Sequence, residues 1–155
     1  MVRFARGGRL AAVILAGLSG AALAQDASPA QPEREKFRWP LRGPIVEPFK
    51  AGTNDGIDIG AHPGEAVHAA ADGVCIAANE EMKSYGKLVV IRHANGWVTV
   101  YADNSELAVK EGDRVRRGQI IAKSGESGGA PSPRLHFELR KDGQAIDPIK
   151  FLAPL

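Results

Sequence analysis

His136 stands in a stretch of alternating residue types. Arg134, His136, Glu138 and Arg140 fall on one side of a strand, and Leu135, Phe137 and Leu139 on the other. An imidazole among acids and cations on one face can bind a metal, move a proton or hold a charged partner. A second stretch, Asn54-Asp55-Gly56-Ile57-Asp58-Ile59-Gly60, sets Asp58 between two β-branched residues that favour a strand. A carboxylate facing a strand imidazole is half of a metal site. The alternation predicts that the leucine face packs and the His136 face presents its polar groups.

The elements that would position these groups follow one grammar. Short runs rich in Val and Ile recur between Gly, Asn and Asp: Val67 to Ala70, Gly73 to Ala78, Lys87 to His93, Gly96 to Tyr101, Arg114 to Val115 and Gln119 to Lys123. Ile45 to Phe49 reads as a first short strand, and Asn95-Gly96 as a tight primed hairpin turn. Even spacing of this kind predicts an all-β sandwich or barrel, with one helical turn at Pro148 to Leu152. Gly125 to Pro133 is a loop by composition; it either walls a groove beside the Arg134 strand or is a flexible connection.

The 155 residues suit a single domain. Residues 1–24 read as a cleavable export signal: Arg3, Arg6 and Arg9 precede the apolar run Leu10 to Leu18, and Ala22-Leu23-Ala24 has the small-x-small form of a cleavage site. The run is not followed by a lipid-accepting cysteine, and after cleavage no segment is apolar for long enough to span a bilayer. Residues 25–36, rich in Ala, Pro, Gln and charge, read as a disordered linker, and 37–155 as the domain. Cleavage removes three arginines and no acid, so the formal charge goes from +2 to −1, and a nucleic-acid partner loses its main support. In the charged run Lys110 to Arg117, Glu111 and Asp113 interleave with the cations, as on a solvated hairpin. Cys75, the single cysteine, reads as a small buried apolar residue. His62, His68 and His93 match no ligand pattern, and Glu81-Met82-Lys83-Ser84 is only a faint match to a carrier-domain hairpin lysine.

The order of these pieces resembles the LytM, or lysostaphin-type, zinc endopeptidase domain of cell-wall hydrolases. The residues that carry the resemblance are Gly56-Ile57-Asp58-Ile59, Gly64-Glu65-Ala66-Val67, Ala70-Ala71-Asp72-Gly73-Val74, Tyr85 to Ile91, Tyr101-Ala102, Gly112-Asp113-Arg114-Val115, Gly118 to Ala122, Gly125 and Leu135-His136-Phe137-Glu138. It implies an all-β barrel-sandwich hybrid. It also implies zinc ligands at positions 54, 58 and 136 and water-assisting histidines at 103 and 134, where this chain has Asn54, Asp58, His136, Asp103 and Arg134. Asn54 offers a neutral amide oxygen, and Arg134 a fixed cation where a base is needed. Only Asp58 and His136 match, so neither catalysis nor bound metal is expected, and Arg134 is expected to pair with Asp103 or Asp58.

Asn before Gly-Ile-Asp-Ile, with Arg-Leu-His-Phe-Glu, is similar to the degenerate LytM domains of the NlpD type. That resemblance implies a periplasmic, non-catalytic activator of peptidoglycan amidases in septal wall splitting. Asn54, Asp58, Asp103, Arg134 and His136 would then line a partner-binding groove. The alternatives are a zinc peptidase with a rearranged site on Asp58, His136 and Asp103, and a passive peptidoglycan-binding module.

Overall fold

A computed structural model describes residues 36–155; the predicted export signal and all of the predicted linker except Lys36 lie outside the described residues. The elements are β1 (Ile45–Glu47), β2 (Ile57–Gly60), β3 (Ala66–His68), β4 (Gly73–Met82), β5 (Gly86–Arg92), β6 (Trp97–Leu107), β7 (Arg114–Val115), β8 (Ile120–Ser124), β9 (Arg134–Lys141) and β10 (Gln144–Ile146). A 3-10 turn at Pro148–Lys150 follows, with the Asp147 carboxylate accepting from the Ile149 amide. The strands form one antiparallel sheet in the order β1-β2-β9-β6-β5-β4-β7; β10 adds to β9, and β8 joins β6 to β3. The fold is all-β, as the spacing predicts.

The bend that turns this sheet over is in β6. Its first half pairs with β9 through Trp97 to Ala102, and its second half pairs with β8 through Asn104 to Leu107. The change of partner occurs at Asp103, whose φ of 65° is a left-handed conformation that aspartate tolerates better than most residues. Asn104 secures the bend, its side-chain amide donating to the carbonyls of Lys87 (2.9 Å) and Tyr101 (3.0 Å).

Alternation fills two layers. Leu135, Phe137 and Leu139 of β9 join Ile57, Ile59, Val89, Ile91, Trp97 and Tyr101 in the main core. Leu88, Val90, Val98, Val100 and Ala102 face the other way and pack with Tyr85 in a smaller cluster. Burying each large apolar side chain contributes about 1.5–3 kcal/mol, so the sheet is held from both sides. Cys75 is buried, and its burial pushes the thiol up to about 11.

The primed turn expected at Asn95-Gly96 is present: Asn95 (φ 60°) and Gly96 (φ 79°) are both left-handed, the Trp97 amide donates to the Ala94 carbonyl, and the His93 amide to the Trp97 carbonyl. One local expectation changes. The run Lys110 to Arg117 is solvated but is not a hairpin: β7 pairs with β4, and β8 pairs with β3 and β6. The short β10 and the extension of β6 to Leu107 have no strong sequence signature.

Candidate functional site

The polar face of β9 is buried, whereas the alternation predicts that it is presented. Arg134, His136, Glu138 and Arg140 each expose 6% or less of their surface, and Asp58 and Asp103 expose none. β2 runs antiparallel to β9 with Asp58 opposite His136. The strands reach this register because Gly56 lets the chain pass against the Phe137 carbonyl, where a Cβ would collide with backbone.

The side chains form one chain of alternating charge. Arg134 Nη1 donates to Asp58 Oδ2 at 3.1 Å, and His136 Nδ1 meets Asp58 Oδ1 at 2.5 Å. His136 Nε2 lies 3.0 Å from Glu138 Oε1; Arg140 Nε donates to Glu138 Oε2 at 2.8 Å, and Arg140 Nη2 to Asp55 Oδ2 at 3.1 Å. The Tyr85 hydroxyl donates to Glu138 Oε1 at 3.1 Å, and the Tyr85 ring meets the edge of the His136 ring.

Burial by itself would push the His136 imidazole down, but the hydrogen bonds and charges of Asp58 and Glu138 outweigh it and raise the group to about 9. Burial likewise works against the Glu138 carboxylate, and His136 and Arg140 hold it below its ordinary value. At neutral pH the ladder therefore carries the cations Arg134, His136 and Arg140 against Asp55, Asp58 and Glu138. Its charges balance within a space that water does not reach.

The loop before β9 closes over this ladder. Ser127 Oγ accepts from the Lys87 amide at 2.9 Å, and Gly128 lies so close that a Cβ there would meet Asp103 Oδ1 and the Tyr85 backbone. Arg134 holds the far end, donating from Nη2 to Ser132 Oγ (3.0 Å) and from Nε to the Ser132 carbonyl (3.3 Å). Gly128→Ala is expected to lift the loop, since overpacking costs about 1–3 kcal/mol. Hydrogen exchange would read this as at least roughly fivefold faster exchange of the Lys87 amide.

Of the two partners predicted for Arg134, the structure places Asp58 against it, with Glu47 Oε2 further off at 3.9 Å. Asp103 lies buried under Gly128, its amide donating to the Tyr85 carbonyl. Asn54 is half-buried in the loop before β2, where its side-chain amide donates to the Pro48 carbonyl at 3.0 Å. Asp55, Tyr85, Glu138 and Arg140 belong to the network but were given no role by sequence reasoning. For Glu138 and Arg140, the sign alternation along β9 was the available signal.

A model of peptidase family M23 matches residues 52–148. The chain belongs to that family. It is 41% identical over 118 residues to murein hydrolase activator NlpD of Escherichia coli, covering 75% of this chain and 31% of that protein. It is 41% identical over 123 residues to cell division protein DipM of Caulobacter vibrioides, covering 77% and 20%. Among solved structures, Helicobacter pylori Csd3 superposes with a TM-score of 0.69 at 31% identity, covering 79% of this chain and 34% of that one. The chain thus spans less than half the length of each of these curated relatives.

The zinc that the resemblance implies does not suit this M23 member's residues. Both His136 nitrogens are engaged by carboxylates, Nδ1 by Asp58 at 2.5 Å and Nε2 by Glu138 at 3.0 Å, which leaves no room for a metal between Asp58 and His136. Asp58 is shared between that imidazolium and a guanidinium 3.1 Å away, a cation that would repel a second one.

Proposed function

We propose that this M23 domain is a non-catalytic activator of peptidoglycan amidases in the periplasm, acting where daughter-cell walls separate. The observation that carries the reading is the closed Arg134–Asp58–His136 contact, which uses up the only two ligand-type residues the family pattern retains here. A hydrolase needs an open metal position and a water, and these side chains provide for neither. The relatives named murein hydrolase activator and cell division protein support the same reading. The export-type N-terminus supports a periplasmic location.

The partner engages the Gly125–Pro133 loop and the groove beneath it. Asn54, Asp58, Asp103, Arg134 and His136 set the shape and charge of that groove, and no cofactor takes part. Because all but Asn54 are buried, binding at the groove itself requires the loop to move.

The test mixes the purified chain with labelled peptidoglycan, with and without a periplasmic amidase, and measures zinc content. The expected result is no release by the chain alone and clear stimulation of the amidase. Release by the chain alone with stoichiometric zinc would establish a peptidase with a rearranged site, and wall binding without stimulation a passive module. Arg134→Glu sets a carboxylate against Asp58 and removes the cation that gives the groove its shape and charge. It is expected to raise the half-stimulating concentration by about tenfold or more, the scale of losing a central interface residue. An unchanged response would move the interface elsewhere.

A further inference from the structure

The tertiary structure collects a cationic face that the linear sequence scatters. Arg38 and Arg42 line one open cleft, and Arg114 and Arg116 line the next. The segments interlock: the Arg38 guanidinium lies over Gly118, the Gly118 amide donates to the Ala69 carbonyl, and the Arg38 amide donates to that of Ala70. Arg117 ties in the start of the domain, with its amide on Asp72 Oδ1 (2.7 Å) and Nη1 on the Lys36 carbonyl (3.0 Å). Lys36, Arg38, Arg42, Arg114, Arg116 and Arg117 are all exposed. Only Asp72 and Glu65 border them within the clefts, while the rest of residues 36–155 carries ten cations against thirteen acids. Glu111 and Asp113 occupy the preceding turn, where Asp113 accepts from the Lys110 amide at 3.0 Å.

We infer that this face lies against an anionic phospholipid surface. Five of its six cations are arginines, whose planar forks match phosphate oxygens. Ile120, half exposed next to Gln119 of the second cleft, offers an apolar side chain to a headgroup layer. The face is less suited to a glycan. The single aromatic lining the clefts, Trp39, is half-buried with its indole nitrogen donating to the Ala153 carbonyl, so one partly covered ring is all that the clefts offer for stacking on sugar rings.

This inference does not depend on the amidase reading.

The exported chain would be sedimented with phosphatidylcholine vesicles, with mixed phosphatidylcholine–phosphatidylglycerol vesicles, and with isolated peptidoglycan. Binding to the mixed vesicles alone, falling as salt rises, is the expected result. Each cation near an anionic surface contributes about fivefold, so Arg114→Glu with Arg116→Glu and Arg117→Glu should lower partitioning by at least about 100-fold. Arg38→Gln with Arg42→Gln, on a different segment of the same face, should lower it by about 25-fold. Thermal unfolding would confirm that both variants fold. Equal binding to both vesicle types, or folded variants that bind unchanged, would overturn the inference. So would retention on peptidoglycan that the same substitutions abolish while vesicle binding is absent, since that outcome assigns the face to the wall polymer.

Discussion

Arg140→Leu is expected to cost about 3–5 kcal/mol of folding stability, the largest effect of any single substitution in the site. The guanidinium is almost fully buried and donates to Glu138 at 2.8 Å and to Asp55 at 3.1 Å. Leucine would fill much of the volume but leave Glu138 with only His136 and Tyr85, and Asp55 without its cation. Removing one member of a buried charge network leaves an uncompensated charge, which is worse than never having buried the pair. Arg140→Lys keeps the charge but loses the planar fork that reaches both carboxylates, so an intermediate loss is expected. Urea unfolding with an unchanged slope would measure both. A loss below about 1 kcal/mol for Arg140→Leu would show that the ladder is spectator chemistry.

Stability is also expected to peak near pH 6.5 and to fall on both sides, because two buried histidines are shifted in opposite senses. His136 titrates at about 9 in the fold against an ordinary 6.5. Its contribution is complete below pH 6.5 and is lost as pH rises to about 9, amounting to about 3 kcal/mol. His93 is buried between the Asp72 carbonyl (2.7 Å) and Thr99 Oγ1 (2.8 Å), and burial pushes it down to about 4. The unfolded chain takes up that proton first, so stability falls by about 3 kcal/mol as pH drops from 6.5 to about 4. Glu138, held below its ordinary value, adds to the acid-side loss. His136→Gln should flatten the alkaline limb and His93→Gln the acid limb, each leaving the other in place. A profile flat between pH 6.5 and 9 would mean that His136 is not held as the imidazolium.

This charge arrangement bears on function as well as stability. In this network Asp58 and Glu138 are each shared between His136 and an arginine. What remains for the outside is the loop that covers it, held at Lys87, Gly128 and Ser132.

Much of this was legible in the chain. Period-two alternation fixed which side of β9 carries Leu135, Phe137 and Leu139, since neighbouring side chains on a strand point to opposite faces. Glycine and asparagine marked the turns because they accept left-handed backbone, as Asn95 and Gly96 do. The family pattern laid on the chain implies imidazoles at the positions where Asn54, Asp103 and Arg134 stand. Alternation separates two faces but does not say what covers either one. That the face with His136 is sealed depends on Tyr85 and Gly128, more than 50 and about eight residues away along the chain. Charge behaves the same way: Lys36, Arg38 and Arg42 join Arg114, Arg116 and Arg117 only because the start of the domain is laid against the β7–β8 turn. Local pattern is set by backbone stereochemistry and is written in order along the chain. Burial and electrostatic neighbourhood are sums over all that surrounds a group, and only the folded arrangement supplies them.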